Sequence, residues 1–251
     1  MSSWIPKNLP KAYDWRERGV LSSVRNQGDC GSCWTFGIAG AIEALLRINR
    51  GLCVSISRQE LLDCCYNPYG YTSVGYDYIR RKGIALEKYY PYEAKEDLPC
   101  RRAKTFGRPG MRVYIDAYTK CQPNEFSLMK AVIRQPITVS GDILDEIVCH
   151  KNVTGPHGEH IWSELNGMNH TVLLVGYGSR DGVKYWIVQN SWGEEWGDEG
   201  YMLMLRSNGT SYGQCFIAAD AWHPIIQESH DRPRAPLRFE GEGTFDGERG
   251  G

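Results

Sequence analysis

Ten residues, Gln27-Gly-Asp-Cys-Gly-Ser-Cys-Trp-Thr-Phe36, and the apolar run behind them constrain this chain more than any other stretch. Across WTFGIAGAIEALLRIN (34–49), apolar side chains fall at 34, 38, 41, 42, 45, 46 and 48, close to the helical repeat, and Gly51 follows as a stop. The spacing predicts a long helix with Cys33 at or just before its N-terminus. Unpaired backbone N–H groups and the helix dipole favour negative charge there, and so a thiolate over a thiol. Gln27, six residues earlier, carries an amide donor that can be aimed at a neighbouring point. A thiolate, its own N–H and that amide are the components of an acyl-transfer site with an oxyanion hole. Cys30 and Cys33 also form a C-x-x-C, which by itself reads as a redox dithiol, half a zinc site or plain structural cysteine.

Length and charge narrow the setting. A chain of 251 residues gives one compact unit or two closely packed lobes. A net charge of −1 points to neither nucleic acid nor an anionic membrane surface. No apolar run reaches the length of a membrane span, and the opening Met-Ser-Ser-Trp-Ile-Pro lacks a signal-peptide pattern. Nine cysteines fit four pairs plus one reactive thiol in an oxidising compartment. Asn152-Val-Thr154 and Asn208-Gly-Thr210 are glycosylation acceptors in that setting. The expectation is the mature part of a longer precursor made in the secretory pathway, vacuolar, lysosomal or extracellular.

The remaining pattern gives an α+β chain, helical first and β-rich second. Ile-Pro-Lys, Leu-Pro-Lys and Tyr13-Asp-Trp-Arg read as an extended arm, about 4–18. Ser57-Arg-Gln-Glu60 is a capping box that starts a second helix through about Cys64. Cys64 and Cys65 are adjacent and so reach different partners. Residues 66–76 read as a wall of loop, and 76–82 as a short helix closed by Gly83. Met111 to Asp116 alternates like a strand, 124–134 is a helix, and Ile137-Thr-Val-Ser starts a strand. Strands follow at 170–177, 183–189 and 200–206, with a hairpin signal at Arg180-Asp-Gly182. The division is a helical lobe of about 19–110 and a β-rich lobe of about 111–224. Residues 225–251, polar and Gly-rich, read as a disordered tail, with a functional tail peptide as the alternative.

A catalytic thiolate needs a base and a group that fixes that base. Of six histidines, His170 opens an apolar strand and faces the helix N-terminus from the other half. His150, His157 and His160 sit in a polar stretch, and His230 lies in the tail. Asn190, ending the strand that pairs back on the one His170 begins, falls beside it. Its amide oxygen can fix the imidazole tautomer, with Trp192 as a shield from water.

With these residues in place, the chain resembles the papain-like cysteine proteases, and plant members most. The resemblance rests on Asp14-Trp15-Arg16, Gln27 through Trp34, Ser57-x-x-Glu60-Leu-Leu-Asp-Cys64, Tyr90-Pro91-Tyr92, Gln135-Pro136, Asn169-His170, Gly176-Tyr177-Gly178 and Asn190-Ser-Trp-Gly-x-x-Trp196-Gly. It implies two lobes with a cleft between them, the helical lobe giving Cys33 and an antiparallel, barrel-like β lobe giving His170 and Asn190. It implies Gln27 with the Cys33 N–H as oxyanion hole. Substrate contacts are implied at Gly31, Ser32, Trp34, Asn67, Pro68, Ser140, Asn169, Thr171, Trp192 and Asp220. Implied bridges are Cys30–Cys65, Cys64–Cys100 and, because Gly155-Pro-His-Gly158 holds no cysteine, Cys149–Cys215. Cys53 and Cys121 are left over.

Two departures bear on substrate. Asn67-Pro68 stands where the family places a Gly pair, and proline has no N–H to donate to a peptide. Asp220, near the floor of the pocket lined by Ser140 and Thr171, is a carboxylate able to receive an Arg or Lys side chain, with a purely structural Asp as the alternative. A metal site from His157, His160 and Cys149 is set against a solvated loop. The resulting expectation is a monomeric cysteine endopeptidase acting through a Cys33 thiolate–His170 imidazolium pair, with a bell-shaped pH profile. No metal or organic cofactor is expected. Its partners are peptide or protein substrates, cystatin-type inhibitors and its own propeptide. A weak or inactive homologue serving as a binding or storage protein is the rival.

Overall fold

The computed structural model describes residues 9–96, 98–104, 112–143, 169–206 and 212–227. Cys149, Asn152, His150, His157, His160, Asn208 and His230 therefore lie outside the described residues.

The predicted first helix is α1, Cys33–Arg50, closed by Gly51 with φ +66°. Such a left-handed backbone suits glycine because it carries no Cβ. α2 follows at Arg58–Cys64, with Ser57 Oγ accepting the Glu60 N–H. The return half of the expected capping box is not made. Glu60 instead accepts from the Ala85 N–H and the Tyr78 hydroxyl and pairs with Arg112. α3, Thr72–Lys82, begins earlier than the sequence pattern suggests. Trp34 and Ile38 lie so close to Gly75 that a Cβ there would meet Ile38 at 2.5 Å, and α3 therefore packs directly on α1. α4 spans Glu125–Val132, capped by Asn124.

The strands are β1 Tyr13–Asp14, β2 Ile84–Ala85, β3 Arg112–Val113, β4 Ala117–Lys120, β5 Ile137–Gly141, β6 His170–Arg180, β7 Val183–Gln189, β8 Tyr201–Leu205 and β9 Asp220–Ile225. Seven of them form one antiparallel sheet, ordered β4-β9-β5-β6-β7-β8 with β1 added to β6. β2 and β3 make a separate ribbon. β9 corrects the reading of a tail from residue 225: Ile225 pairs with Ala117, and Ile226 is buried in the helical core.

Two apolar cores result. One joins α1, α2 and α3 to Val113 and Ile115, and the other fills the sheet against Trp15, Leu128 and Val132. They meet where α1 lies on β5 and β6. A Cβ on Gly37 would meet Thr138 and Thr171 methyls at 2.8 and 2.9 Å, so only glycine allows that approach. The seam is polar: Thr138 Oγ1 donates to the Gly37 carbonyl at 3.0 Å and sits 2.7 Å from the Tyr76 hydroxyl.

Candidate active site

Cys33 starts α1, half-buried, and touches Thr171 on β6. His170, the residue before it, is 3% exposed. The imidazole Nε2 lies 2.8 Å from Asn190 Oδ1, which also accepts the Ser191 N–H at 2.8 Å. Because the Ser191 N–H can only donate, it identifies that amide atom as oxygen. Nε2 must then carry the proton, which leaves Nδ1 bare and able to accept one from a thiol. Trp192 packs on the ring with centroids 5.3 Å apart, and Trp196 packs edge-on behind it. The β6–β7 hairpin thus brings together the pair expected from sequence.

Gln27 approaches from the other side. Its Oε1 accepts from Ser191 Oγ at 2.5 Å, which turns Nε2 toward the Cys30 carbonyl at 2.8 Å. An amide nitrogen carries two hydrogens, so one remains for a ligand. The Gln27 N–H donates to the Ser191 carbonyl at 2.8 Å, tying the loop before α1 to the segment after β7.

Burial acts on the two central groups in opposite senses. It pushes the Cys33 thiol up, against hydrogen bonds from Thr171 and the first N–H groups of α1, and it pushes His170 down, against the bond to Asn190. Each shift on its own favours the neutral form of that group.

Several expected substrate residues have other duties. Ser32 is fully buried and Trp34 is 4% exposed, packed beneath Gly70 and Gly75. Asn67 spends both ends of its amide on Tyr71 within its own turn, beside the exposed Pro68. Asn169 holds Asp142 and the Ile143 N–H. Ser140, Thr171 and Asp220 do share one sheet face, since Ser140 pairs with both others, and the Ser140 and Thr171 hydroxyls are 3.0 Å apart. Asp220, however, already has a resident cation, Lys120 at 3.1 Å, and accepts from the Trp222 indole at 2.7 Å. Both contacts fall on Oδ1. Gly31 is exposed beside the cleft, its N–H taken by Glu96 at 2.7 Å.

The expected bridges are met in part. Cys64 and Cys100 are joined. Cys30 and Cys65 are both thiols: Cys30 Sγ faces Glu96 at 3.6 Å and Cys65 Sγ faces the Val74 carbonyl at 3.8 Å. Following directly on Cys64, Cys65 is held at the α2 terminus by its N–H to Leu61, which turns it toward α3. Cys215 is buried, and its expected partner lies outside the described residues. Among the described residues one disulfide, rather than four, is present, and no group of three or more potential metal ligands occurs. Ser191, Tyr92 and Glu96 carry no assigned role in the sequence reading. The Asn190-Ser-Trp and Tyr90-Pro-Tyr runs hold two of them, but their roles depend on distant partners.

A helix that begins at Cys33 and lies on a sheet carrying a histidine of fixed tautomer, with an oriented amide at Gln27, defines an α+β protein with a helix-borne cysteine beside that sheet. Residues 9–225 match the family described as papain family cysteine protease, and the chain belongs to that family. It is 38% identical over 228 residues to ananain of Ananas comosus, covering 88% of this chain and 63% of the relative. It is 39% identical over 234 residues to P34 probable thiol protease of Glycine max, covering 88% and 59%. Among solved structures, a Carica candamarcensis cysteine protease in complex with E-64 has a TM-score of 0.74 at 32% identity, covering 88% of this chain and all of that one. A recombinant stem bromelain precursor has a TM-score of 0.75 at 37% identity, covering 88% and 72%. The chain spans 58–63% of the length of the first curated relatives it matches.

Proposed function

We propose that this chain is a cysteine endopeptidase. The observation that carries the reading is the His170–Asn190–Ser191 arrangement, which leaves Nδ1 of His170 free to accept a proton, with Cys33 in contact with the next residue, Thr171. Burial disfavours a charge on either group alone. Moving one proton from Sγ to Nδ1 creates two opposite charges together, stabilised by each other and by the N-terminus of α1. The thiolate then attacks the peptide carbonyl, and the oxyanion is received by the Cys33 N–H and the spare Gln27 N–H. His170 returns its proton to the leaving amine and then activates the water that releases the acyl-enzyme. Peptide and protein substrates, cystatin-type inhibitors and a propeptide are the partners of this reading. The Cys64–Cys100 bond fits an oxidising secretory compartment, such as a vacuole, lysosome or the cell exterior.

The test is treatment of the folded chain with an epoxysuccinyl peptide, read by intact mass and peptide mapping. The expected result is one adduct on Cys33, absent in Cys33→Ser and strongly slowed in His170→Ala. A folded chain that takes no adduct would instead support a binding or storage role.

A further inference from the structure

Both oxyanion donors of the proposed reaction belong to one loop, Gln27 at its start and Cys33 at its end, and that loop is held from outside by the segment after Pro91. The Tyr92 hydroxyl lies 2.8 Å from the Gln27 carbonyl oxygen and 2.6 Å from Ser32 Oγ. A carbonyl only accepts, so the phenol donates to Gln27 and receives the hydrogen of Ser32. One oxygen atom thereby joins the residue bearing the oxyanion amide to the residue immediately before the nucleophile. Ser32 is fully buried, which leaves its hydroxyl no water to turn to. The Tyr92 ring packs edge-on against Phe36 in the first turn of α1, with centroids 5.1 Å apart at 87°. The helix that presents Cys33 therefore also places this hydroxyl. Burial pushes the phenol well above the ordinary tyrosine value, so it remains a donor across the neutral range. Glu96 completes the hold by accepting the Gly31 N–H.

We propose that Tyr92 is a positioning residue for the oxyanion site, its hydroxyl setting the spacing between the Gln27 amide and the Cys33 N–H. This rests on the endopeptidase reading. Tyr92 acts through the loop and makes no contact with the reacting atoms. A misplaced donor weakens a transition-state contact while leaving substrate binding elsewhere intact.

Tyr92→Phe tests the idea, because it keeps the ring against Phe36 and deletes only the bridging oxygen. Turnover of a fluorogenic peptide should lose about tenfold or more in kcat, with KM held within about twofold. A peptide aldehyde, whose hemithioacetal oxygen occupies the same hole, should bind more weakly by a similar factor. Alkylation of Cys33 by iodoacetamide, which develops no oxyanion, should keep its rate within about twofold. Unchanged kcat would overturn the proposal, and so would equal losses in turnover and alkylation, which would mark general damage to the nucleophile. A parent chain that neither cleaves peptide nor reacts at Cys33 would overturn the endopeptidase reading itself, and this proposal with it.

Discussion

Burial sorts the thiols of this protein one by one. The surroundings of Cys65 and Cys121 push both up to about 11, by desolvation in each case and by Asp77 in addition at Cys65. At pH 8 a thiol of that kind is ionised to roughly one part in a thousand, and only the thiolate is nucleophilic. Iodoacetamide at pH 8 should therefore label the exposed Cys53 and spare Cys65 and Cys121 until guanidinium unfolds the chain, as read by peptide mapping. Labelling of Cys65 in the folded chain at the rate of Cys53 would contradict its burial. At this scale the sequence discloses chemistry better than pairing. The placement of Cys33 at the start of α1 and of His170 beside Asn190 is legible, because the helical repeat and the hairpin of two apolar strands fix both. The fate of Cys65 is not, because it depends on where α2 stops and which way the next residue then turns. Asp220 is similar: its cation comes from Lys120, 100 positions earlier, joined only when β4 pairs with β9.

Elements of strong period are read well, and short or interrupted ones are not. α1 and β7 fall where their apolar spacing puts them, whereas β1, β2 and β3 have two residues each, too few to show any alternation. β9 escapes notice because Pro224 imitates a terminator. It is tolerated since Pro224 lies past the stretch paired with β5, opposite Tyr118 of β4, while its carbonyl accepts from Gln135 at 3.1 Å. The same strand makes the sheet sensitive to acid. His223 is held below its ordinary value, first by desolvation and then by Arg134, against a bond with the Pro224 backbone. Among the described residues its Nδ1 has no hydrogen-bond partner. Between the depressed folded value and about 6.5 the unfolded chain binds the proton and the folded chain does not, so stability falls as pH falls through that window. Above about 6.5 this contribution is complete and flat. Denaturant midpoints measured from pH 7.5 down to 5 should decline, and His223→Gln should flatten the decline. An identical slope in the variant would show that other groups carry the acid sensitivity.

Across the described residues, the first and last strands are exchanged between the halves. β1 precedes the entire helical half yet pairs with β6, and the Trp15 indole donates to the Val132 carbonyl at 2.6 Å. The Tyr177 hydroxyl reaches back to the Pro10 carbonyl at 2.9 Å. At the other end, β9 runs through the sheet, and Ile226 is then buried with the helices. Neither core is complete without a segment from the far side of the other. Intrinsic tryptophan fluorescence and far-UV circular dichroism should therefore report one coincident unfolding transition. Two resolved transitions would show that the halves unfold separately. The same lacing changes what a cut means. In most proteins a nick close to a terminus trims a frayed end, but here a break near residue 10 or residue 224 withdraws a stitch from the opposite half. For a chain proposed to sever other chains, the first and last of its described strands are then places where a single self-inflicted cut undoes more than it removes.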